Sequence, residues 1–465
     1  MDFSHEFKNI WKESKDKKYS DIMDYSERYI SFMSRAKTER EANKEIIKIA
    51  EKNGFKDFKK LGGKDIKPGD KIYYNYRDKS VVMVVIGSKK IEDGLQVVGA
   101  HIDAPRLDLK PFPLYEDEQI AFLKTHYYGG IKKFHWATIP LALHGVCFTK
   151  DGKKIDIVFG EDESEPVLYI NDLLIHLADK QMNKNAKEVI TGEQLNVLAG
   201  SIPNKDAKDD DKTPVKDNIL KILNKKYGIT ETDFLRAEFE IVPAGKARSA
   251  GFDNSMIMAH GHDDRVCSYA ALEGILNAKN PEKTSAALFV DKEEIGSIGN
   301  TSMGSDFFEN FMIDLITAIN KKDATLPELR HMWENTNVLS GDVTNVIDPT
   351  FPEVVEKNNS ARLGGGIVLS KYGGSRGKSG SNDANAEFLA YLIDIFDKHK
   401  VIWQSGELGK VDEGGGGTIA YILANKGAQV IDCGTGMLSM HSPNELLSKA
   451  DAYMTSKAYE AFYKE

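Results

Sequence analysis

Cysteine is scarce in this chain, with three residues among 465. Cys147, Cys267 and Cys433 are far apart, lie in mostly apolar surroundings and form no C-x-x-C pair. Such a sparse, odd set excludes a disulfide-bonded scaffold and is typical of reduced, structural thiols. We therefore expect a cytoplasmic protein.

Membrane, signal and nucleic-acid features are missing as well. No apolar run approaches membrane-spanning length, and the first residues, M-D-F-S-H-E-F-K, are too polar and charged for a secretory signal. Lys and Arg number 62 against 71 Asp and Glu, which gives a net charge of −9, and no basic face is visible. We therefore expect neither a membrane nor a nucleic-acid partner.

The length indicates two domains, because 465 residues are too many for one core. Residues 1–60 contain no proline and predict helices, and three strands follow at 71–76, 80–86 and 95–101. From about residue 107 the pattern becomes mostly β, and the charged tract 203–217 is typical of a disordered surface loop. The expected strand segments of this part are 136–148, 154–159, 167–170 and 234–241.

Three acids follow a buried strand predicted at 286–290: Asp291, Glu293 and Glu294. Acids at a strand end repel one another unless a cation or a proton relieves them. A hydrolytic metal site needs one carboxylate on the metal and another to take a proton from water. Neighbouring strand residues face opposite ways, so Glu293 and Glu294 can share a site only if the chain has already turned. The alternative is a strand end with solvated acids.

His101 ends the third strand, and Asp103 follows two residues later. In extended chain these side chains share a face, so Asp103 can bond one imidazole nitrogen and direct the other toward a metal. A satisfied core histidine is the alternative. The His-x-Asp pairing followed by Pro105 favours the ligand.

A third acidic position is Asp263-Asp264, after a short strand and before a helix predicted at 266–278. One of these acids could cap the helix, or one could bridge two metal ions. His260 and His262 are rival ligands, which we rank lower because neither has an orienting acid as clear as that beside His101.

Two further strand ends carry candidate ligands. Asp342 ends the segment 338–342, and His441 follows a strand at 428–432. The residues after His441, S-P-N-E, combine an N-cap, a proline at the first helical position and a capping acid, which predicts a helix starting there. His441 is therefore expected in a strand-to-helix turn.

Together these positions offer two imidazoles and three carboxylates without thiolates, which fits two zinc, cobalt or manganese ions better than a structural zinc. Two such ions, about 4 Å apart, would share one carboxylate and a water. We expect all five at the carboxyl ends of strands in one open α/β sheet, where such folds place their sites. The candidates are His101, Asp263, Glu294, Asp342 and His441, with Glu293 and Asp103 beside them.

The ordered motifs H-I-D, H-D-D-R, D-K-E-E-I-G-S, S-G-D and M-H-S resemble those of the aspartyl aminopeptidase family of dinuclear zinc exopeptidases, which includes vacuolar aminopeptidase I. The match spans essentially the whole chain. It implies an α/β fold, with a three-layer α/β/α catalytic domain formed by residues 1–106 and 246–465. A mostly-β dimerisation domain, residues 107–245, would be inserted between them.

The resemblance also implies a metal-dependent aminopeptidase acting on peptides, with two divalent ions per subunit (Zn²⁺, or else Co²⁺ or Mn²⁺). It implies a homododecamer built from dimers, with active sites facing an interior chamber. The family usually has Asp-Asn where this chain has Asp263-Asp264. The implied roles are as follows: His101 and Asp342 bind one ion, Glu294 and His441 bind the other, Asp263 bridges them, Glu293 is the general base and Asp103 orients His101.

Substrate preference is left open by one departure. The family carries a histidine after Y-G-G that reaches a neighbouring subunit's site, but Y-G-G-I-K-K-F-H-W places Phe134 there and His135 one residue later. Preference for an acidic N-terminal residue or for a neutral one therefore remains open. Alternative functions are a related zinc deacylase or dipeptidase, or a non-catalytic assembly protein stabilised by metal. Glu293 argues against the last, because a structural site has no use for a base.

Overall fold

The computed structural model describes residues 6–15, 17–62, 65–208 and 210–465. The chain forms two compact units. The first unit comprises Met1–Asp103, Ala247–Met440 and Glu445–Glu465, and the second comprises Ala104–Lys246 and His441–Asn444. As domains, the segments 1–106, 107–245 and 246–465 stay predictions.

Strands occur throughout the described chain. In chain order they are β1 (Lys56–Asp57), β2 (Lys71–Tyr76), β3 (Ser80–Val85), β4 (Leu95–His101), β5 (Arg106–Asp117), β6 (Ile120–Tyr128), β7 (Leu141–Phe148), β8 (Lys154–Phe159), β9 (Val197–Gly200), β10 (Ala237–Pro243), β11 (Arg248–Ala250), β12 (Met256–Ala259), β13 (Thr284–Val290), β14 (Asn337–Ser340), β15 (Thr344–Asn345), β16 (Ile367–Ser370), β17 (Trp403–Ser405), β18 (Gln429–Gly434), β19 (Gly436–Leu438) and β20 (Glu445–Ser448).

Helices alternate with these strands in the first unit and are fewer in the second. They are α1 (Ile10–Glu13), α2 (Lys17–Met33), α3 (Glu39–Lys52), α4 (Phe58–Leu61), α5 (Asp179–Met182), α6 (Ala186–Val189), α7 (Pro214–Tyr227), α8 (His262–Leu276), α9 (Phe307–Asn320), α10 (Leu326–Glu334), α11 (Ala386–Lys398), α12 (Ala420–Ala424) and α13 (Lys449–Tyr463). Among the described residues, no helix is long and apolar enough to cross a membrane.

The main sheet of the first unit has the strand order β1-β2-β3-β13-β4-β14-β18-β16-β17. Its central strands β13, β4, β14 and β18 are parallel, so their carboxyl ends meet at one edge of the sheet. These strands are apolar runs buried on both faces, as a parallel sheet covered on both sides requires. Along β4, Val98 packs into one hydrophobic core with α2, α8 and α13, and Val97 packs into another with α9 and α10. The α/β fold class is therefore confirmed, with helices on both faces of the sheet.

A smaller sheet of the first unit has the order β11-β12-β20-β19-β15. The helix predicted to start at Ser442 is wrong, because β20 occupies this part of the chain between β12 and β19. Long-range pairing on both sides of the strand outweighs the local helix-start signal. The helix begins only at Lys449, where the Ser448 side chain caps it by accepting the N–H of Ala450.

The second unit contains the sheet β8-β7-β10-β5-β6-β9, whose described pairs are antiparallel. A two-residue turn at Glu118-Gln119, both with positive φ, joins its longest strands β5 and β6, which the sequence pattern did not predict. Segment 167–170 was expected to be a strand but makes only isolated bridges at Leu168 and Tyr169. The tract 203–217 was expected to be a disordered loop, yet α7 begins within it at Pro214; residue 209 lies outside the described residues.

Candidate metal centre

His101, the last residue of β4, is almost fully buried between two acids. Its Nδ1 lies 3.1 Å from the Asp103 carbonyl oxygen and 3.3 Å from Asp103 Oδ1, and its Nε2 lies 3.1 Å from Asp263 Oδ1. Burial by itself would lower the pKa of His101, but hydrogen bonds with Asp103 and Asp263 outweigh it and raise the pKa well above its usual value. The imidazole therefore lies where the surrounding carboxylates make the electrostatic potential strongly negative.

The buried Asp103 carboxylate holds the turn that follows β13. Oδ1 accepts the backbone N–H of Glu293 at 3.1 Å, and Oδ2 accepts that of Glu294 at 3.2 Å. The turn begins at Lys292, whose φ of 68° reverses the extended strand, and continues as a 3₁₀ turn over Glu293–Ile295. The chain thus turns before the two glutamates, as they must if both are to serve one site.

Among the described residues, two overlapping groups of side chains could each hold a metal ion. In each group one donor atom per residue lies within 4.8 Å of the others: His101 with Asp263 and Glu294, and His101 with Glu293 and Asp342. Imidazole nitrogen with carboxylate oxygen, and no thiolate, is the donor set of catalytic rather than structural zinc.

The electrostatics of this group favour a bound cation. Burial raises the pKa of Asp342 well above its usual value, and repulsion from Glu293, Asp264 and Asp263 raises it further. The pKa of Asp264 is also raised, first by burial, with a contribution from Asp263 that is opposed by His101. Carboxyls that resist ionisation because they are buried and lie close together are those a divalent cation would stabilise as carboxylates. The residues present therefore fit a metal site.

Asp263 and Asp264 follow β12 after a left-handed Gly261 and are joined by a cis peptide bond. The Asp263 N–H donates to Glu445 Oε2 at 3.2 Å. Asp264 Oδ2 accepts the backbone N–H of His101 at 3.4 Å. One of these acids was a candidate cap for the following helix. The cap position of α8 is Gly261, without a side-chain bond, the backbones of Asp263 and Asp264 are not helical, and the Asp264 carboxyl is buried beside β4.

The expectation that all candidates follow strands of one open sheet is wrong in part. His101, the glutamate pair and Asp342 do follow strands of the main sheet. Asp263 follows β12, which belongs to the smaller sheet. The sequence pattern could not show this, because both sheets are built from short apolar runs and only long-range pairing separates them.

His441 lies in the second unit, in a turn between β19 and β20 rather than before a helix. Its Nδ1 is 2.7 Å from the carbonyl oxygen of Gly130 in the same unit. Because a carbonyl only accepts, Nδ1 carries the proton and Nε2 keeps its lone pair. This is the tautomer that a metal ligand binding through Nε2 requires.

The rival histidines are in neither donor group of the described chain. The His262 ring is buried, with Nδ1 at 2.7 Å from the Tyr29 hydroxyl and Nε2 at 3.1 Å from the Ile257 carbonyl. Burial lowers the pKa of His262 to about 3, so the ring is neutral. His262 is therefore a structural residue with both nitrogens engaged. The sequence pattern missed its partner Tyr29, which carries no local signal. It assigned the buried acid Glu445 to a helix cap, whereas the structure has Glu445 accepting the Asp263 N–H.

Phe134 and His135 lie in a 3₁₀ turn of the second unit, Lys133–Trp136. Their rings meet edge-to-face with centroids 4.7 Å apart, and Phe134 remains exposed. Burial lowers the pKa of His135, and the nearby Lys132 lowers it further. The imidazole is therefore a poor source of positive charge at neutral pH.

Comparison with known proteins gives consistent results. The family model described as "Aminopeptidase I zinc metalloprotease (M18)" matches residues 32–463. A probable M18 family aminopeptidase 1 of Clostridium acetobutylicum is 52% identical over 463 residues, which cover 99% of each chain. The crystal structure of an M18 aminopeptidase from Thermotoga maritima superposes with a TM-score of 0.94 at 44% identity, covering 99% of this chain and 100% of that one. Aminopeptidase I from Clostridium acetobutylicum gives a TM-score of 0.92 at 48% identity over 100% of both chains.

Proposed function

The chain belongs to the M18 family of zinc metalloproteases and is a metal-dependent aminopeptidase, and on this premise we propose how its residues divide the work. The family resemblance predicted from the ordered motifs is confirmed. The roles of individual side chains and the number of metal ions belong to the proposal.

We assign two divalent ions, zinc by the family description, to five ligands. The two donor groups that share His101 support four of these ligands. His441 is in neither group and is assigned from the family resemblance, and Glu293, which is in the second group, is assigned a different role. When bound, the ions polarise the scissile carbonyl and make water more acidic. The proposed ligands are His101 and Asp342 for one ion, Glu294 and His441 for the other, and Asp263 as the bridge.

Glu293 is the proposed general base. Its Oε2 lies 3.9 Å from His101 Nε2, beyond hydrogen-bond distance, and its backbone is held by Asp103. The carboxylate accepts a proton from the water whose oxygen bonds to the scissile carbonyl carbon. It then delivers this proton to the peptide nitrogen as the C–N bond breaks, so that a free amino acid and a shortened peptide leave.

An assay on paired substrates tests the reaction class. Amino-acyl anilides should be hydrolysed, and acyl-amino acids, which lack a free amino group, should not. Faster hydrolysis of acyl-amino acids would favour the related zinc deacylase. Among anilides, neutral residues should be preferred over aspartate and glutamate, because Phe134 supplies no charge where the family carries a histidine.

The insert, residues 107–245, is proposed to mediate self-association into a dodecamer with sites facing inward. Contiguous apolar side chains exposed in a soluble domain mark an interaction surface. Yeast mApe1, solved as a dodecamer, shares the fold at 21% identity with a TM-score of 0.76. The apolar side chains, each at least 45% exposed, are Leu173, Leu174, Ile175, Leu177 and Met182.

The cytoplasmic location predicted from the sequence remains part of this proposal. It is supported by the three cysteines, which are free and buried. Thiols persist in this form in a reducing compartment.

A further inference from the structure

Tyr29 and His262 form a contact that the proposed reaction does not use, although His262 is the residue before Asp263 in the sequence. We propose that Tyr29 and His262 are a positioning pair that fixes the backbone of the metal-binding Asp263. The inference rests on the proposed ligand role of Asp263 and extends it to a tyrosine on a distant helix. Neither member of the pair is a proposed ligand or base.

The geometry of the pair selects one arrangement of protons. His262 Nε2 lies 3.1 Å from the Ile257 carbonyl, which only accepts, so Nε2 carries the proton. Nδ1 therefore accepts the hydrogen of the Tyr29 hydroxyl, at 2.7 Å. The two rings also stack, with centroids 5.6 Å apart and planes inclined by 28°. Both side chains are fully buried, so water cannot replace either bond.

The segment that carries Asp263 needs such support. It starts at Gly261, whose φ of 71° suits glycine, and the φ and ψ of Asp263, −76° and 109°, are not helical. On one side the Asp263 N–H is bound by Glu445 Oε2 at 3.2 Å. On the other side the His262 ring is anchored to α2 by Tyr29. Together these contacts set the 3.1 Å separation between Asp263 Oδ1 and His101 Nε2.

Replacing Tyr29 by phenylalanine keeps the ring and its stacking but removes the hydroxyl. His262 Nδ1 is then buried without a donor, and it regains one only if the ring or its backbone moves. Such movement displaces the adjacent ligand. Mutating residues that orient metal ligands typically weakens metal binding 10- to 100-fold, and an effect transmitted through one peptide should be about tenfold.

Tyr25 offers a matched control one helical turn earlier on α2. Its ring is also buried and packs 6.5 Å from that of Tyr29 and 5.6 Å from that of Tyr269. Within the described part of the chain, its buried hydroxyl has no hydrogen-bond partner. Tyr25→Phe therefore makes the same chemical change in the same core without touching His262.

The experiment measures zinc affinity of the full-length chain by competition with a fluorescent chelator, together with the melting temperature of the metal-free protein. We expect the apparent zinc Kd to rise about tenfold in Tyr29→Phe and to stay at the wild-type value in Tyr25→Phe. Excess zinc should restore the kcat of Tyr29→Phe to within about twofold of wild type, because the tyrosine does not touch the substrate.

His262→Gln provides a second test, since its amide can still donate toward Ile257 but places no acceptor at the Nδ1 position. It should also weaken zinc binding. Unchanged zinc affinity in Tyr29→Phe and His262→Gln, or a loss matched by Tyr25→Phe, would overturn the positioning role. Asp263→Asn is measured alongside: if it keeps both zinc ions, the ligand assignment fails, which is a separate result from failure of the pair.

Discussion

One oxygen of the Asp103 carboxylate accepts the backbone N–H of Glu293 at 3.1 Å, while the carboxylate also lies against the imidazole of His101. Its other oxygen accepts the N–H of Glu294. A single buried acid therefore joins the end of β4 to the turn after β13. This contact holds the proposed base Glu293 and the proposed ligands His101 and Glu294 in fixed positions at the edge of the main sheet.

Asp103→Asn should lose at least one of the two backbone N–H bonds, because an amide has one acceptor oxygen where the carboxylate uses two. We expect activity to fall on the order of 10- to 100-fold, with weaker zinc binding. Steady-state kinetics and elemental analysis of the purified protein measure both effects. The exposed Asp394→Asn on α11 is the control and should behave like the wild type. Full activity in Asp103→Asn would contradict the role assigned to this carboxylate.

Glu293→Gln should abolish most turnover while both metal ions stay bound. The amide cannot take a proton from the attacking water, and loss of a general base typically costs about 10²–10⁴ in rate. Zinc content is the decisive measurement: near two per chain identifies a base, and near one identifies a ligand. Glu294→Gln is the matched comparison and should lose metal.

The two neighbouring aspartates should respond differently to amidation. Asp263→Asn replaces the proposed bridging carboxylate, so two cations would be left less screened from each other and at least one should be lost together with activity. Asp264→Asn retains an oxygen for the His101 N–H and should keep metal and most activity. Metal analysis of both variants tests this assignment. Loss of metal in Asp264→Asn but not in Asp263→Asn would assign the bridge to Asp264.

Because Asp451 is buried, we expect the free energy of unfolding to fall as the pH rises. Burial raises the pKa of Asp451 to about 7, although the N–H groups of Gly364 and Gly366 bond its two oxygens at 2.7 and 2.8 Å. An unfolded aspartate has a pKa of about 3.9, so the folded state binds this proton more tightly. The corresponding stability is present below about pH 4 and is lost as the pH rises through about 7, a change of roughly 4 kcal/mol.

Asp451→Asn removes this titration and loses one of the two N–H bonds at every pH, at a cost of about 1 kcal/mol. Its melting temperature should therefore start lower at pH 5 and fall less than that of the wild type between pH 5 and pH 8. Thermal unfolding across this range measures the difference. Parallel curves for the two proteins would show that Asp451 does not titrate there.

Charge placed on the exposed apolar surface of the insert should reduce the assembly. Leu174 and Ile175 are 54% and 69% exposed, so aspartate at both positions leaves the fold intact but must be desolvated in an interface. Light scattering of Leu174→Asp/Ile175→Asp should show a smaller particle than the wild type. Val158→Asp, also exposed in the second unit, is the control and should not change the mass. An unchanged mass in the double variant would refute the assigned surface.

The sequence predicted those parts of the molecule that local patterns determine. The strands before His101 and before the glutamate pair are apolar runs followed at once by acids, and both the strands and the turn are present. The helix predicted after His441 failed because β20 is fixed by β12 and β19, a relationship between segments far apart in the chain. The contact between the Asp264 carboxylate and the backbone of β4 is of the same kind, since these two segments are also far apart in the chain. Contacts between distant segments leave no periodic pattern in the sequence from which they could be predicted.

The pairing of Ala259 with Glu445 has a consequence for synthesis of the protein. Glu445 accepts the Asp263 N–H and lies 182 residues after Asp263 in the chain. At typical rates of 5–20 residues per second, Glu445 therefore emerges from the ribosome about nine seconds or more after Asp263. Until then, β12 has no partner on that side, and the turn that carries Asp263 lacks one of its two supports. A growing chain therefore lacks a finished hydrolytic centre until Glu445 has been synthesised, and its capacity to cleave peptides arises only after that point.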